Sequence, residues 1–212
     1  MQWGVGSAAF SALIDNTLCP ANEKVYTFLD KVFTEVAQLF PFEYIHMGGD
    51  ECAKNFWEKD DQIAALMKRE KLKDMHEVQS YFVKRVAKII ESKGKKMIGW
   101  DEILEGGLAS NAAVMSWRGR KGGIEAARAK HDVIMTPTDF VYFDYGQGDP
   151  AYEPLNIGGY VPLEKVYSFE PVPAEVTPEE AKYILGGQAN IWTEYLETPA
   201  AVEYMAYPRM LA

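Results

Sequence analysis

The chain has 212 residues, 48% of them hydrophobic and 25% charged, and a formal net charge of −9. That length supports one sizeable core. The acidic balance argues against nucleic acid as a partner, because phosphate-backbone binders carry a basic surface. No run of about eighteen apolar residues is present, so no membrane span is expected, and the opening MQWGVGSAAF lacks the basic start and apolar block of a signal peptide.

In chain order, Val25, Phe28, Leu29, Val32, Phe33, Val36 and Leu39 recur at helical spacing and predict a helix over Glu23–Leu39. YIHMG, residues 44–48, reads as a strand. The charge-rich KDDQIAALMKREKLKD that begins at Lys59 reads as a solvated surface segment. A second helix is expected over residues 75–92, with Val78, Tyr81, Phe82, Val86, Ile89 and Ile90 on one side and Gly94 as its stop. KKMIGWDE and AAVMSW read as strands, and a short helix near 124–130 leads into the strand DVIMTP. After a loop rich in Pro, Tyr and Gly, LGGQANIWTE reads as a last strand and PAAVEYMAYPRMLA as the helix behind it.

Apolar strands alternating with helices imply an α/β fold with a parallel sheet covered on both faces. An open doubly wound sheet and a (β/α)8 TIM barrel both have this pattern. Asp50, Glu51, Trp100, Asp101, Trp117, Trp192 and Glu194 all fall where strands are predicted to end. Polar and aromatic residues at the C-terminal ends of successive strands suit a barrel site, whereas an open sheet gathers them at one switch point. Five strands in a fold that takes about 250 residues predict a partial barrel of about the last five βα units. Residues 1–212 are expected to be one catalytic-domain piece, strands 4 to 8, with no linker or second domain.

Asp50 and Glu51 are the sharpest feature. Acids are favoured at a helix N-terminus by its dipole, which is one reading of the pair; a catalytic pair is the other. Neighbours on an extended strand point to opposite sides. Adjacent acids therefore fit poorly across one glycosidic bond as acid and nucleophile, which needs a separation of about 5 Å or more. If both serve one substrate, they do different jobs and titrate as a coupled unit. Gly48 and Gly49 just ahead leave room for a ligand to approach the backbone. Trp100, Trp117 and Trp192 offer flat faces on which sugar rings stack. Trp3 and Trp57 have no such placement and are read as structural. Tyr142 and Asp144, two apart, share a face if extended, and so do Trp192 and Glu194.

His46, His76 and His131 lack metal-ligand spacing, so no metal and no cofactor is expected; His46 is read as a hydrogen-bonded strand residue. Cys19 and Cys52, the only cysteines, are read equally as a disulfide or as two reduced thiols. No phosphate-cradling or nucleophile-elbow motif occurs.

The ordered set IHMGGDE, GWDEIL, VMSWRG, YFD and QANIWTEY, preceded by LCPANEKVYTFLDKVFTEVAQLFP, resembles the family 20 glycoside hydrolases, the β-N-acetylhexosaminidases. The resemblance implies exo-acting hydrolysis of terminal β-linked GlcNAc or GalNAc, from glycans or chito-oligosaccharides, by substrate-assisted retaining catalysis, an exception to the two-carboxylate scheme. It implies Glu51 as general acid and then base, and Asp50 as the group that orients the substrate acetamide. Tyr142 would bond the acetamide oxygen, Trp100, Trp117 and Trp192 would form walls, and Asp144 and Glu194 would hold sugar hydroxyls. The family's sugar-binding arginine on the first barrel strand has no counterpart here. The remaining barrel half or a second copy of the chain is therefore the expected partner, and an inactive carbohydrate-binding remnant is the alternative. A glycosidase of another family, pairing Glu51 with Asp101 or Glu102, is a third reading. Full-length members imply a periplasmic or extracellular location.

Overall fold

Asn22 begins the first helix by accepting the Lys24 backbone N–H at 3.0 Å, the usual capping of an orphan donor. This helix, α1 (Glu23–Leu39), runs over the predicted residues and ends where Phe40 turns extended ahead of Pro41. A computed structural model describes residues 17–212; Trp3 and the opening decapeptide lie outside them. The helix order continues with α2 (Asp61–Glu70), α3 (Met75–Glu91), α4 (Lys121–Arg128), α5 (Thr138–Val141), α6 (Leu163–Tyr167), α7 (Pro178–Ala181) and α8 (Pro199–Ala206). The strands are β1 (Tyr44–His46), β2 (Lys96–Trp100), β3 (Ala113–Ser116), β4 (Val133–Met135) and β5 (Ile184–Gly187). They form a five-stranded parallel sheet ordered β1-β2-β3-β4-β5. The described residues fall into two compact units, 17–114 and Met115–Ala212.

In the first unit, β1 pairs with β2 so that Ile45 lies opposite Met97. Val78, Val83, Val86 and Ile90 of α3 are fully buried. Arg85 ties α1 to α3: its guanidinium lies 3.5 Å over the Tyr26 ring and bonds both Glu23 carboxylate oxygens at 2.6 Å. Tyr26 and Phe33 are the buried residues of α1, while Phe28 and Leu39 are exposed.

The stretch KDDQIAALMKREKLKD is not a plain surface segment; most of it is α2. Asp60 caps this helix by accepting the Gln62 N–H at 2.7 Å. Ile63 and Leu66, three apart on one face, are completely buried in a cluster with Trp57 and Val78. Each such burial stabilises by about 1.5–3 kcal/mol, so two apolar residues outweigh the charges around them. Trp57 is structural, as expected: it is buried and its indole N–H donates to the Leu18 carbonyl at 3.2 Å.

In the second unit, α4 starts three residues before the predicted helix. A Cβ on Gly123 would overlap the Met135 sulfur, so glycine lets α4 sit directly on β4. The predicted last strand is shorter than expected. Val133 pairs with Ile184 but Ile134 pairs with Gly186, which leaves Leu185 bulged; Gly186 takes φ +142° to allow it. The strand stops at Gly187. Beyond it, the Gln188 N–H bond to Met135 O and a parallel bridge between Tyr142 and Asn190 continue the pairing, and Trp192 and Glu194 stand on the loop after β5, not on a strand.

Candidate active site

The acid pair sits on the loop after β1. Two backbone bonds pin this loop to β2, Met47 N–H to Ile98 O at 2.9 Å and Trp100 N–H to Gly48 O at 3.0 Å. Gly48 and Gly49 take φ +80° and +103°, conformations that glycine adopts without cost. The turn thus requires the glycines whether or not a ligand approaches. The Gln79 side-chain amide of α3 donates to the Gly49 carbonyl at 2.8 Å. Glu51 itself has φ +45°, a left-handed conformation that costs a non-glycine residue about 1–2 kcal/mol and that clusters at functional positions.

Asp50 and Glu51 therefore follow a turn, not an extended strand, and both are exposed. They share the wall of a cavity of about 160 Å³ with Cys52, Trp57 and Gln79; pockets for drug-sized ligands run to about 300 Å³ and above. Trp100 does not line it. Trp100 is buried at the end of β2, with its ring centroid 4.8 Å from that of His46. His46 accepts the Gly48 N–H on Nδ1 at 3.0 Å, a bond that requires that nitrogen unprotonated. Desolvation of the ring lowers its pKa, and the Asp50 charge opposes this. Burial pushes the Cys52 thiol up to about 11.

The other predicted residues belong to the second unit. Tyr142 follows α5, and its ring is flanked by two indoles. Trp117 stacks at 6.4 Å between centroids with planes 23° apart, and Trp192 lies at 6.3 Å, tilted by 53°. Backbone bonds from Phe143 N–H to Asn190 O at 2.7 Å and from Asn190 N–H to Val141 O at 2.9 Å fix this segment. Asn190 is anchored in turn through its side-chain amide to Thr136 Oγ1 at 2.7 Å. Burial raises the Tyr142 hydroxyl pKa, opposed by hydrogen bonds with Trp192 and Asn190.

After Tyr142 the chain turns, so Asp144 does not reach its place by strand alternation. Asp144 is 4% exposed, and its Oδ1 has no hydrogen-bond partner among the described residues. Burial pushes its carboxyl up to about 6, helped by the charge of Glu194 and opposed by backbone N–H groups and Arg209. A buried acceptor without a donor costs stability, which makes this oxygen a natural place for a ligand hydroxyl. Glu194 is exposed on the loop beyond Trp192. The structure thus gathers Trp117, Tyr142, Asp144, Trp192 and Glu194 in one unit, and Asp50, Glu51 and Trp100 in the other.

Comparison with known proteins gives a match to "Glycosyl hydrolase family 20, catalytic domain" over residues 8–212. The chain belongs to glycosyl hydrolase family 20. A β-hexosaminidase of Porphyromonas gingivalis is 50% identical over 99% of the chain, which covers 26% of that protein. A β-hexosaminidase of Vibrio furnissii is 38% identical over 93% of the chain and 33% of its own length. Among solved structures, the family 20 exo-β-N-acetylglucosaminidase of Vibrio harveyi in complex with N-acetylglucosamine superposes with a TM-score of 0.82 at 34% identity. It matches 92% of this chain and 31% of its own. The chain therefore spans about a quarter to a third of the length of these family 20 relatives.

Two anchors of these family 20 residues escaped the sequence reading. Gln79 is buried on α3 beside Ser80 and among Val78, Val83 and Val86, and polar residues interrupting that apolar stripe were the available signal. Arg209, in the apolar tail YPRMLA, is the most deeply buried charge described, at 1% exposure.

Proposed function

We propose that this chain carries the acid pair and acetamide pocket of an exo-acting β-N-acetylhexosaminidase. Its five strands would serve as strands 4 to 8 of a (β/α)8 barrel, and residues 1–212 as one catalytic-domain piece. The substrate is a glycan or chito-oligosaccharide ending in β-linked GlcNAc or GalNAc. The remaining barrel strands come from polypeptide outside these residues or from a second copy.

In this reading Glu51 protonates the leaving oxygen as the substrate's own acetamide oxygen attacks the anomeric carbon. The glycosidic bond breaks and an oxazolinium ring forms. Glu51, now a carboxylate, takes a proton from the water that reopens the ring with net retention. Asp50 accepts the acetamide N–H and steadies the positive charge that develops there. Tyr142 donates to the acetamide oxygen, and its burial keeps the hydroxyl protonated at working pH. Trp100, Trp117 and Trp192 wall the site and exclude water, while Asp144 Oδ1 and Glu194 accept sugar hydroxyls. Groups aimed at developing charge are worth about 3–4 kcal/mol each by analogy with oxyanion-hole donors.

The observation that carries the reading is the Tyr142 hydroxyl-bearing ring held between Trp117 and Trp192 beside a buried, unpartnered carboxylate oxygen. A phenol donor, a carboxylate acceptor and flat indole faces in one place support a ligand that combines an amide with a sugar ring. The test is release of an aryl leaving group from a β-GlcNAc glycoside by the purified chain and by Glu51→Gln, with the mass in solution measured alongside. Activity abolished in the variant supports the assignment; undiminished turnover removes it. The exposure of both acids favours a second reading, a carbohydrate-binding piece without hydrolysis. Calorimetry with GlcNAc then gives binding but no turnover.

A further inference from the structure

Arg209 sits in the short 3₁₀ turn after α8, almost wholly withdrawn from solvent. Among the described residues, its guanidinium makes no hydrogen bond or ion pair to a carboxylate. Its donors go to backbone carbonyls: Nη2 to Phe143 O at 2.6 Å, Nη1 to Tyr145 O at 3.0 Å and to Val161 O at 2.9 Å. Nε and Nη2 donate to Met205 O at 3.1 and 2.6 Å. The Met205 sulfur lies 3.9 Å from Nη2, and the Phe143 ring lies 4.9 Å below the guanidinium carbon. Burial without a paired anion lowers its pKa to about 10.

The carbonyls it chooses are informative. Phe143 lies between Tyr142 and Asp144. Tyr145 and Val161 are the two feet of the loop 146–160, whose base also closes through a Gly146–Tyr160 bridge and a Val161 N–H bond to Gly146 O at 2.9 Å. One planar fork therefore ties the end of α8 to the segment that carries Tyr142 and Asp144 and to both stems of the loop that follows. Only arginine presents five donors in a fixed plane; lysine has three on a flexible stem. An apolar residue would leave these buried carbonyls without donors.

We propose that Arg209 is the positioning residue of the acetamide pocket, a clamp that sets where Tyr142 and Asp144 stand by gripping Phe143, Tyr145 and Val161 through their backbone. The positioning role rests on the reading of Tyr142 and Asp144 given above; the clamp itself does not. A residue that merely fills core would loosen its whole unit when replaced. A clamp loosens what it grips.

The test is amide hydrogen exchange on the full chain, wild type against Arg209→Lys and Arg209→Met. Peptides over 142–161 are expected to exchange at least tenfold faster in the methionine variant, with partial recovery in the lysine variant. Peptides over 121–135 should change by less than threefold. Unaltered exchange in 142–161, or an equal rise in both regions, overturns the clamp. On the same samples, GlcNAc affinity should fall at least tenfold in the methionine variant; unchanged affinity alongside faster exchange overturns the positioning role. A wild type that does not bind GlcNAc removes the hexosaminidase reading and with it the positioning role, while exchange still decides the clamp. Should both variants fail to fold, the wild type answers alone: the Arg209 Nε–H should resist solvent exchange by more than tenfold relative to the exposed arginine Arg69, and exchange at the same rate refutes the clamp.

Discussion

The rings of Trp117 and Tyr142 lie stacked, 6.4 Å between centroids and 23° from parallel. The indole comes from the end of β3 and the phenol from beyond α5, so neither is placed by the other's local structure. Stacking of this kind contributes about 0.5–1.5 kcal/mol beyond area burial. It also leaves the Tyr142 ring little freedom, which fixes the direction in which the hydroxyl donates.

Tyr142→Phe keeps the stack and removes the donor. Stability in urea should change by less than about 1.5 kcal/mol, the ordinary worth of one hydrogen bond. The rate on an aryl β-GlcNAc glycoside should fall by about 10²–10³, as for loss of one charge-stabilising donor. A variant with full turnover would remove Tyr142 from the proposed chemistry.

Asp144 makes stability depend on pH. Its carboxyl titrates at about 6 in the folded chain and near the ordinary 3.8 when unfolded. Between those values the folded chain holds a proton that the unfolded chain has released. The contribution of Asp144 is therefore most favourable below pH 4 and is lost as pH rises through about 6, by about 3 kcal/mol in all. Urea titrations from pH 4 to 7.5 should show this decline in the wild type and a flatter profile in Asp144→Asn. Identical profiles would mean the carboxyl is not held away from water. Sugar affinity should run the opposite way, rising as Asp144 ionises and becomes a full acceptor.

Gly49→Ala tests the turn that presents the acids. The residue has φ +103°, and a Cβ there would stand 2.7 Å from Cγ2 of buried Ile103. Left-handed strain and overpacking together should destabilise by about 2–4 kcal/mol. The loss should be read by urea unfolding, with activity measured at a temperature where the variant remains folded. An alanine that costs under about 0.5 kcal/mol would show that the turn relaxes freely.

Helical spacing marked α3 because Val78, Val83, Val86 and Ile90 bury one face along its length, and it marked α1, where only Tyr26 and Phe33 are buried, because the apolar residues keep the helical period whether or not they are covered. It missed α2, where only Ile63 and Leu66 reach the interior and eight of ten positions face outward or partly so. The acid pair was legible because two carboxylates after two glycines are costly unless used. Glu51's left-handed backbone was not, since it depends on bonds that Gly49 and Gly48 make with Gln79 and β2.

What the sequence determined alone was local: which segments form helix or strand, which side chains can donate, accept or stack, and the order in which those groups occur. Periodicity and side-chain chemistry are properties of neighbours along the chain. The tertiary structure decided which distant groups meet. It brought Trp117 and Trp192 to Tyr142, left Asp144 Oδ1 buried without a donor among the described residues, and spent Arg209 on two segments far from it in sequence. Such meetings depend on how separate elements pack, and no local pattern encodes them.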